Sequence, residues 1–336
     1  MPPPNLHRTY LIFFRFYKCS AFTRSTSNSG SLREMRISSV CTLATKECLS
    51  ELLLFLKCVR WCHPMVPIHV RTDEFVHSRR REIFSKLAQG AYPVSVSEIH
   101  FHTGLEKYGG IDRSAMERTP GIKYRTLHDD FMMEKSVVLD DTLAVHGSAL
   151  FLDCDIVFLR ALEDLSSWDH MHQTPSKSIL LSPHHINPRD EEMFGRFNGG
   201  WVATNDRAVP RLWEEYTTTS RYFDQAALER FVPGGDRTVE YAPPQSNFGY
   251  WRLFQASRPR NVLGRLTVGP LQGGLVQKTL LYDGKPLQSV HSHFVLPALC
   301  GTPAQVFNRL ICGLLEECGD TYGFALDMLR QKSAWN

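Results

Sequence analysis

Asp153 and Asp155 interrupt an otherwise apolar run, Ala149-Leu150-Phe151-Leu152-Asp153-Cys154-Asp155-Ile156-Val157-Phe158-Leu159. Runs of this kind belong to central parallel strands covered on both faces. Two like charges buried there without a partner are costly, so a positive group is expected between them. Ligands of open α/β sheets sit beyond the carboxyl ends of the strands, and the pair emerges at that edge if the strand ends at Leu152. Hard oxygen ligands with room for water and phosphate oxygens suit Mn²⁺ or Mg²⁺, and the absence of soft ligands nearby disfavours structural zinc. Period-two geometry turns Cys154 away from both carboxylates. An Asp-x-Asp triplet also recurs by chance, so its placement at a strand end is what gives it weight.

The elements that must position this pair follow from periodicity. A strand over 37–43, an amphipathic helix over 47–61 and a strand over 67–71 make a β-α-β unit, which implies a parallel sheet with right-handed crossovers. Helical spacing returns over 79–89, alternating valines over 91–101 suit a strand, and 128–146 reads as the helix leading into the acidic run. Downstream, 178–181, 200–204 and 238–241 read as strands, and 206–217 and 224–231 as helices. The Gly- and Pro-rich stretch 243–283 suggests loops and short strands, 289–295 a strand, and 303–330 helices broken near Gly319. The expected organisation is an irregular segment 1–33, one α/β domain over 34–300 and a helical extension over 301–336.

The 336-residue chain is 43% apolar and 22% charged, with 38 Lys plus Arg against 35 Asp plus Glu. That balance asks for neither nucleic acid nor an anionic membrane, and it allows a small anionic substrate. The nine cysteines form no paired Cys-x-x-Cys zinc spacing. Cys58 and Cys62 beside His63 read as a small core face or, alternatively, a metal corner. The apolar-aromatic run 10–17 is too short for a span of about 20 residues. An anchor missing from the gene start would put the protein in the Golgi or another endomembrane lumen; otherwise it is expected in the cytoplasm.

Four segments in order carry a resemblance: Thr42-Leu43-Ala44-Thr45; Leu152-Asp153-Cys154-Asp155-Ile156-Val157-Phe158-Leu159; Phe197-Asn198-Gly199-Gly200; and Phe223-Asp224-Gln225. Together they resemble the type A glycosyltransferases, the nucleotide-diphospho-sugar transferase family, over about residues 36 to 295. The resemblance implies an α/β single-domain fold with a mostly parallel central sheet flanked by helices. It implies a metal-dependent hexosyl- or pentosyltransferase, retaining by its nearer relatives. The donor is a nucleotide-diphosphate sugar such as a UDP-sugar, and the acceptor a glycan, glycoprotein or small molecule.

By that resemblance Asp153 and Asp155 hold the metal, and a histidine from His291 or His293 completes its ligands. Ala44, Thr45 and Lys46 lie near the nucleotide base, Lys135 reaches toward the diphosphate, and Asn198, Gly199 and Gly200 approach the sugar. Asp224 and Gln225 face the transferred sugar and are the catalytic candidates. Plainer readings stand beside these: a helix cap for Thr45 or Asp224, a solvated helix face for Lys135, and a tight turn for the glycines. Trp201, Phe248, Tyr250 and Trp251 suit either sugar stacking or core packing, while His184-His185 and His170 with His172 are expected in loops. Better-known relatives carry a His-x-x-Gly-x-x-Lys-Pro segment, and no such Lys-Pro follows the histidine pair here. Alternatives are an inactive sugar-nucleotide-binding homologue and a metal-dependent phosphotransferase or hydrolase, although neither a Walker loop nor a hydrolase triplet is present.

Overall fold

The computed structural model describes residues 37–162, 177–233, 236–270 and 277–330. Backbone contacts divide the chain into Met1–Arg33 and Glu34–Asn336, and the elements below belong to the second unit. They run β1 (Val40–Ala44), α1 (Leu49–Cys62), β2 (Ile68–Thr72), α2 (Glu74–Ser78), α3 (Arg80–Ala88), β3 (Ile99–Thr103), α4 (Arg113–Arg118), α5 (Leu127–His146), β4 (Ala149–Leu152) and β5 (Ile156–Phe158). There follow β6 (Ser178–Pro183), α6 (Pro188–Phe194), β7 (Phe197–Thr204), α7 (Ala208–Thr217), α8 (Phe223–Ala227), β8 (Thr238–Tyr241), β9 (Phe248–Gly249), α9 (Arg252–Gln255) and α10 (Pro259–Arg265). The chain closes with β10 (Leu266–Pro270), β11 (Lys278–Tyr282), β12 (Lys285–Pro286), β13 (Ser289–His291), α11 (Gly301–Glu317) and α12 (Gly323–Arg330). The 1–33 segment, His170 and His172 lie outside the described residues.

Seven strands form the main sheet in the order β3-β2-β1-β4-β7-β6-β8. β7 runs antiparallel to both its neighbours, and the other pairs are parallel. The expected mostly parallel sheet is therefore present. Its central strands are apolar throughout because alternate residues feed two separate cores. Val40, Ala44, Leu150 and Leu152 pack with α1, whereas Cys41, Leu43, Ala149 and Phe151 pack with α5. Helix α5 is fixed at both ends. Thr126 accepts from Asp129 N, Asp129 returns the bond to Thr126 N, and Gly147 ends the helix at φ 75°.

The apolar run around the acidic pair is two strands. β4 ends at Leu152, and β5 leaves the main sheet for a three-stranded one, β5-β13-β9, in which Ile156 pairs with His291 and His291 with Gly249. This change of sheet leaves Asp153, Cys154 and Asp155 in the connecting turn and brings the distant 289–291 strand alongside them. Several expectations need correction. Residues 91–98 are loop, and the strand there starts at Ile99; the stretch 243–283 contains α9 and α10 as well as strands. The 289–295 strand stops at His291, so His293 lies on the following loop, not on the same strand face. Phe307, Ile311 and Leu315 of α11 are fully buried in the α1-side core. No described helix is long and apolar enough to cross a membrane.

Candidate active site

Asp153, Asp155 and His291 offer ligand atoms that all lie within 4.8 Å of one another, the single such group of three His, Cys, Asp or Glu side chains among the described residues. His291 Nε2 is 3.0 Å from Asp155 Oδ1 and 4.0 Å from Asp153 Oδ2. The other ring nitrogen, Nδ1, is 3.1 Å from Asn247 Oδ1. An amide oxygen only accepts, so Nδ1 carries a proton, and Nε2 is the ring nitrogen turned to the carboxylates: it can donate to Asp155 Oδ1 in the metal-free protein and is the atom that would ligate a cation. Two carboxylate oxygens and one imidazole nitrogen suit Mn²⁺ or Mg²⁺.

His293 also reaches this group, from the loop. Its Nδ1 lies 2.7 Å from Glu51 Oε1 and 3.5 Å from Asp155 Oδ2. Burial opposes its protonation, but Asp155 and Glu51 outweigh burial and the pKa is pushed up to about 12. The charged ring in turn helps to hold Asp155 ionised. Burial would raise that carboxyl, whereas His291 and His293 pull it well below the usual range. His291 and His293 thus differ: one turns a ring nitrogen to both members of the acidic pair, and the other is a charge held between Asp155 and Glu51.

Lys135 corrects the solvated-face reading. Its side chain is 4% exposed, with Nζ 3.2 Å from Asp153 Oδ1, 3.1 Å from Asp224 Oδ2 and 3.2 Å from Gly199 O. Burial alone would lower its pKa; Asp153 and Asp224 overcome that and keep the ammonium charged. It meets only Asp153 of the acidic pair and bridges it to Asp224, whereas the groups beside Asp155 are His291 and His293. Asp224 does not cap α8, since its carboxylate is turned to Lys135, and burial raises its pKa against the pull of that ammonium.

The glycines are no tight turn either: Gly199 and Gly200 lie within β7. Neither has a positive φ. A Cβ on Gly199 would overlap the Asp224 carboxylate, and one on Gly200 would overlap Asp153 and the His291 ring. Close approach of these side chains is what calls for glycine at both positions.

Asn198 continues the chain of amides. Its Oδ1 accepts from Asn247 Nδ2 at 3.1 Å and from Gly200 N at 3.2 Å, and its Nδ2 is 3.3 Å from His184 Nε2. His184 donates Nδ1–H to Gly195 O at 2.8 Å, and burial lowers its pKa to about 4. The neutral ring then has only a lone pair at Nε2, which Asn198 satisfies. Gln225 Oε1 also lies 3.1 Å from this nitrogen. That oxygen accepts from Asn198 Nδ2 and from Gly199 N, both at 3.4 Å, which holds the Gln225 amide against β7.

The residues expected near a nucleotide base stand at the carboxyl end of β1, beside the β4 end that carries Asp153. Ala44 and Thr45 are buried; Lys46 is exposed, and its N–H donates to Asp73 Oδ2 at 2.8 Å. Thr45 does start a short helical turn, whose Cys48 N–H donates to its carbonyl. Trp201 and Phe248 are core residues. Trp251 is half-buried, with its ring 4.9 Å from His291 and 5.4 Å from His184. Sequence reasoning missed Glu51, Asn247 and His184 as neighbours of the site. Glu51 alone gave a signal, a carboxylate inside Leu49-Ser50-Glu51-Leu52-Leu53-Leu54. Cys58 is fully buried in the core, and His63 Nε2 accepts from Leu162 N, as a core face rather than a metal corner requires.

No family model matches the chain, and no curated protein matches it. Solved structures do. The galactosyltransferase LgtC in complex with donor and acceptor sugar analogs is 17% identical with TM-score 0.48, covering 82% of this chain and 96% of that one. Mouse xyloside xylosyltransferase 1, apo form, is 11% identical with TM-score 0.45, covering 76% and 97%. The glycosyltransferase GlyE of Streptococcus pneumoniae TIGR4 is 11% identical with TM-score 0.39, covering 65% and 48%.

Proposed function

We propose that the protein is a glycosyltransferase that moves a sugar from a nucleotide-diphosphate sugar to an acceptor, with a divalent cation held by Asp153, Asp155 and His291. The observation that carries this reading is the trio beyond the end of β4, in which Asn247 occupies His291 Nδ1 and leaves Nε2 facing two carboxylates. When bound, the cation supplies electrostatic stabilisation to the negative charge that grows on the departing diphosphate.

The remaining roles belong to this chain. Lys135 neutralises Asp153 and Asp224 and keeps both carboxylates placed. Ala44, Thr45 and Lys46 bound the nucleotide end, and Asn198, Gly199 and Gly200 form the strand against which the sugar lies. Asp224 and Gln225 orient the transferred sugar. The Gln225 amide, beside Asn198 and Gly199, is the group we assign to stabilising an oxocarbenium-like centre in a retaining transfer.

A panel of UDP- and GDP-sugars with Mn²⁺, Mg²⁺ or EDTA tests the proposal. The expected result is metal-dependent transfer or slow donor hydrolysis that Asp155→Ala abolishes. Asp224→Asn is expected to lower turnover strongly while metal-dependent nucleotide affinity stays within a few-fold. Binding of nucleotide that ignores both metal and Asp155→Ala would sink the assignment.

A further inference from the structure

Away from the carboxylates, a cavity of about 480 Å³ opens between the segment after β6, helices α9 and α10, and β11. Arg252, Arg258 and Arg265 line it with His185 and Asn261, against one carboxylate, Glu191. Its volume lies within the roughly 300–1,000 Å³ of small-molecule sites.

Arg252 is the informative member. It is 1% exposed, and its hydrogen-bond acceptors are all main-chain carbonyls: Nη1 donates to Pro244 O at 2.7 Å, and Nη2 to Asn247 O at 2.7 Å and Pro183 O at 3.4 Å. Its Nε is buried with no partner. Beyond these the guanidinium has only the Phe248 ring, 5.3 Å from its Cζ. Buried charges are ordinarily paired, because dipoles alone repay little of the desolvation cost. Arg265, at the rim, is paired with Asp283; Arg252 has no such counter-ion among the described residues. His185 beside it holds a left-handed backbone at φ 56°, a strained conformation for a residue other than glycine, and such strain gathers at ligand sites.

We infer that this cavity is a second ligand site, an oxyanion subsite that takes a monosaccharide-sized molecule bearing a phosphate or a carboxylate. Arg252 supplies the buried charge and Arg258 and Arg265 meet the ligand from the rim. The inference stands on charge and space and does not need the transfer reaction.

Calorimetric titration in EDTA keeps metal-dependent binding at Asp153 and Asp155 silent. The probes are inorganic phosphate, glucose 6-phosphate and glucuronate, with glucose as the neutral control. The expected result is millimolar or tighter binding of an anionic probe, none of glucose, and retention in Asp155→Asn. The Arg258→Gln/Arg265→Gln double variant, both positions exposed, is expected to weaken it about tenfold, equivalent to about 1.4 kcal/mol. Arg252→Met is expected to abolish it, with the melting curve reporting whether that variant folds. Preference for glucose 6-phosphate or for glucuronate identifies the anion. Absence of binding by all three anionic probes, or wild-type affinity in the rim variant, overturns the inference. Failure of sugar transfer leaves it intact, so the two proposals fail separately.

Discussion

Lys135→Met keeps the length of the side chain and removes the ammonium that stands between Asp153 and Asp224. The Lys135 and Asp224 side chains are 4% and 3% exposed, so water screens that pair little; Asp153 is 32% exposed and its share is discounted. Removing one partner of a buried pair costs about 3–5 kcal/mol, because the remaining charge stays desolvated. A fall in Tm of roughly 6–10 °C is expected at neutral pH, at about 2 °C per kcal/mol for a domain of this size. The deficit is expected to shrink with acidity. Asp224 already has a raised pKa from burial, and without Lys135 it rises further. A carboxyl whose folded pKa exceeds its unfolded value destabilises above that range, and the penalty vanishes as pH falls below the unfolded value. Adding Asp224→Asn is expected to restore at least half of the loss, a coupling that a double-mutant cycle reads directly. Thermal melts near neutral pH and at about pH 4 decide the matter. A single variant within about 1 kcal/mol of wild type, or a double variant no more stable than the single, refutes the buried-pair account.

Three further outcomes follow from the geometry. His291→Ala is expected to weaken Mn²⁺ binding by at least about tenfold, the scale of ligand and supporting-residue losses, and His293→Ala by less; calorimetry with Mn²⁺ compares them, and equal losses would contradict the division of roles between the rings. Gly200→Ala is expected to lower metal affinity, because the new methyl group would overlap Asp153 and His291; metal titration with the circular dichroism spectrum as a fold control checks it. In EDTA, the His293 contribution to stability is expected to be full below its unfolded value of about 6.5 and to be lost progressively as pH rises toward about 12. His293→Gln is expected to flatten that alkaline limb in denaturant melts, and an unchanged slope counts against a charged His293.

The sheet was legible in the sequence because burial on two faces leaves a direct trace, the apolar run of β4 and that of β1 broken only by Thr42, and α1 and α5 announced themselves by period. The acidic pair was legible because carboxylates are out of place in such a run. Lys135 was not. On a helix with apolar residues on two sides, a lysine reaching inward and one reaching outward occupy the same periodic pattern, and only the position of β7 and α8 distinguishes them. The glycines were read correctly as a site of close approach, but what approaches is Asp224 and Asp153. Asn247 left no signal, since its role arises from the pairing of β9 with β13, two short strands 40 residues apart in the chain. The strand face assigned to His293 failed for a related reason: Ser292 N–H still donates to Asp155 O as the end of the β13–β5 ladder, and His293 falls beyond it.

That hydrogen bond also ties charge to architecture. Asp153, Asp155, Asp224 and Glu51 bring four formal negative charges from the turn after β4, α8 and α1, while Lys135 and a protonated His293 bring two positive ones. With His291 neutral, as a metal ligand must be, the excess of negative charge equals one divalent cation. Burial raises Glu51 even beside His293, which trims the imbalance in the metal-free protein by favouring a proton there. A cation held against Asp155 would add positive charge near Glu51 and so lower the affinity of that carboxyl for a proton. Metal binding is therefore expected to be coupled to proton release through α1, at a residue that never touches the metal. Calorimetry of Mn²⁺ binding in two buffers of different ionisation enthalpy measures that proton count, and Glu51→Gln is expected to reduce it. An unchanged count in the variant would place the released proton elsewhere.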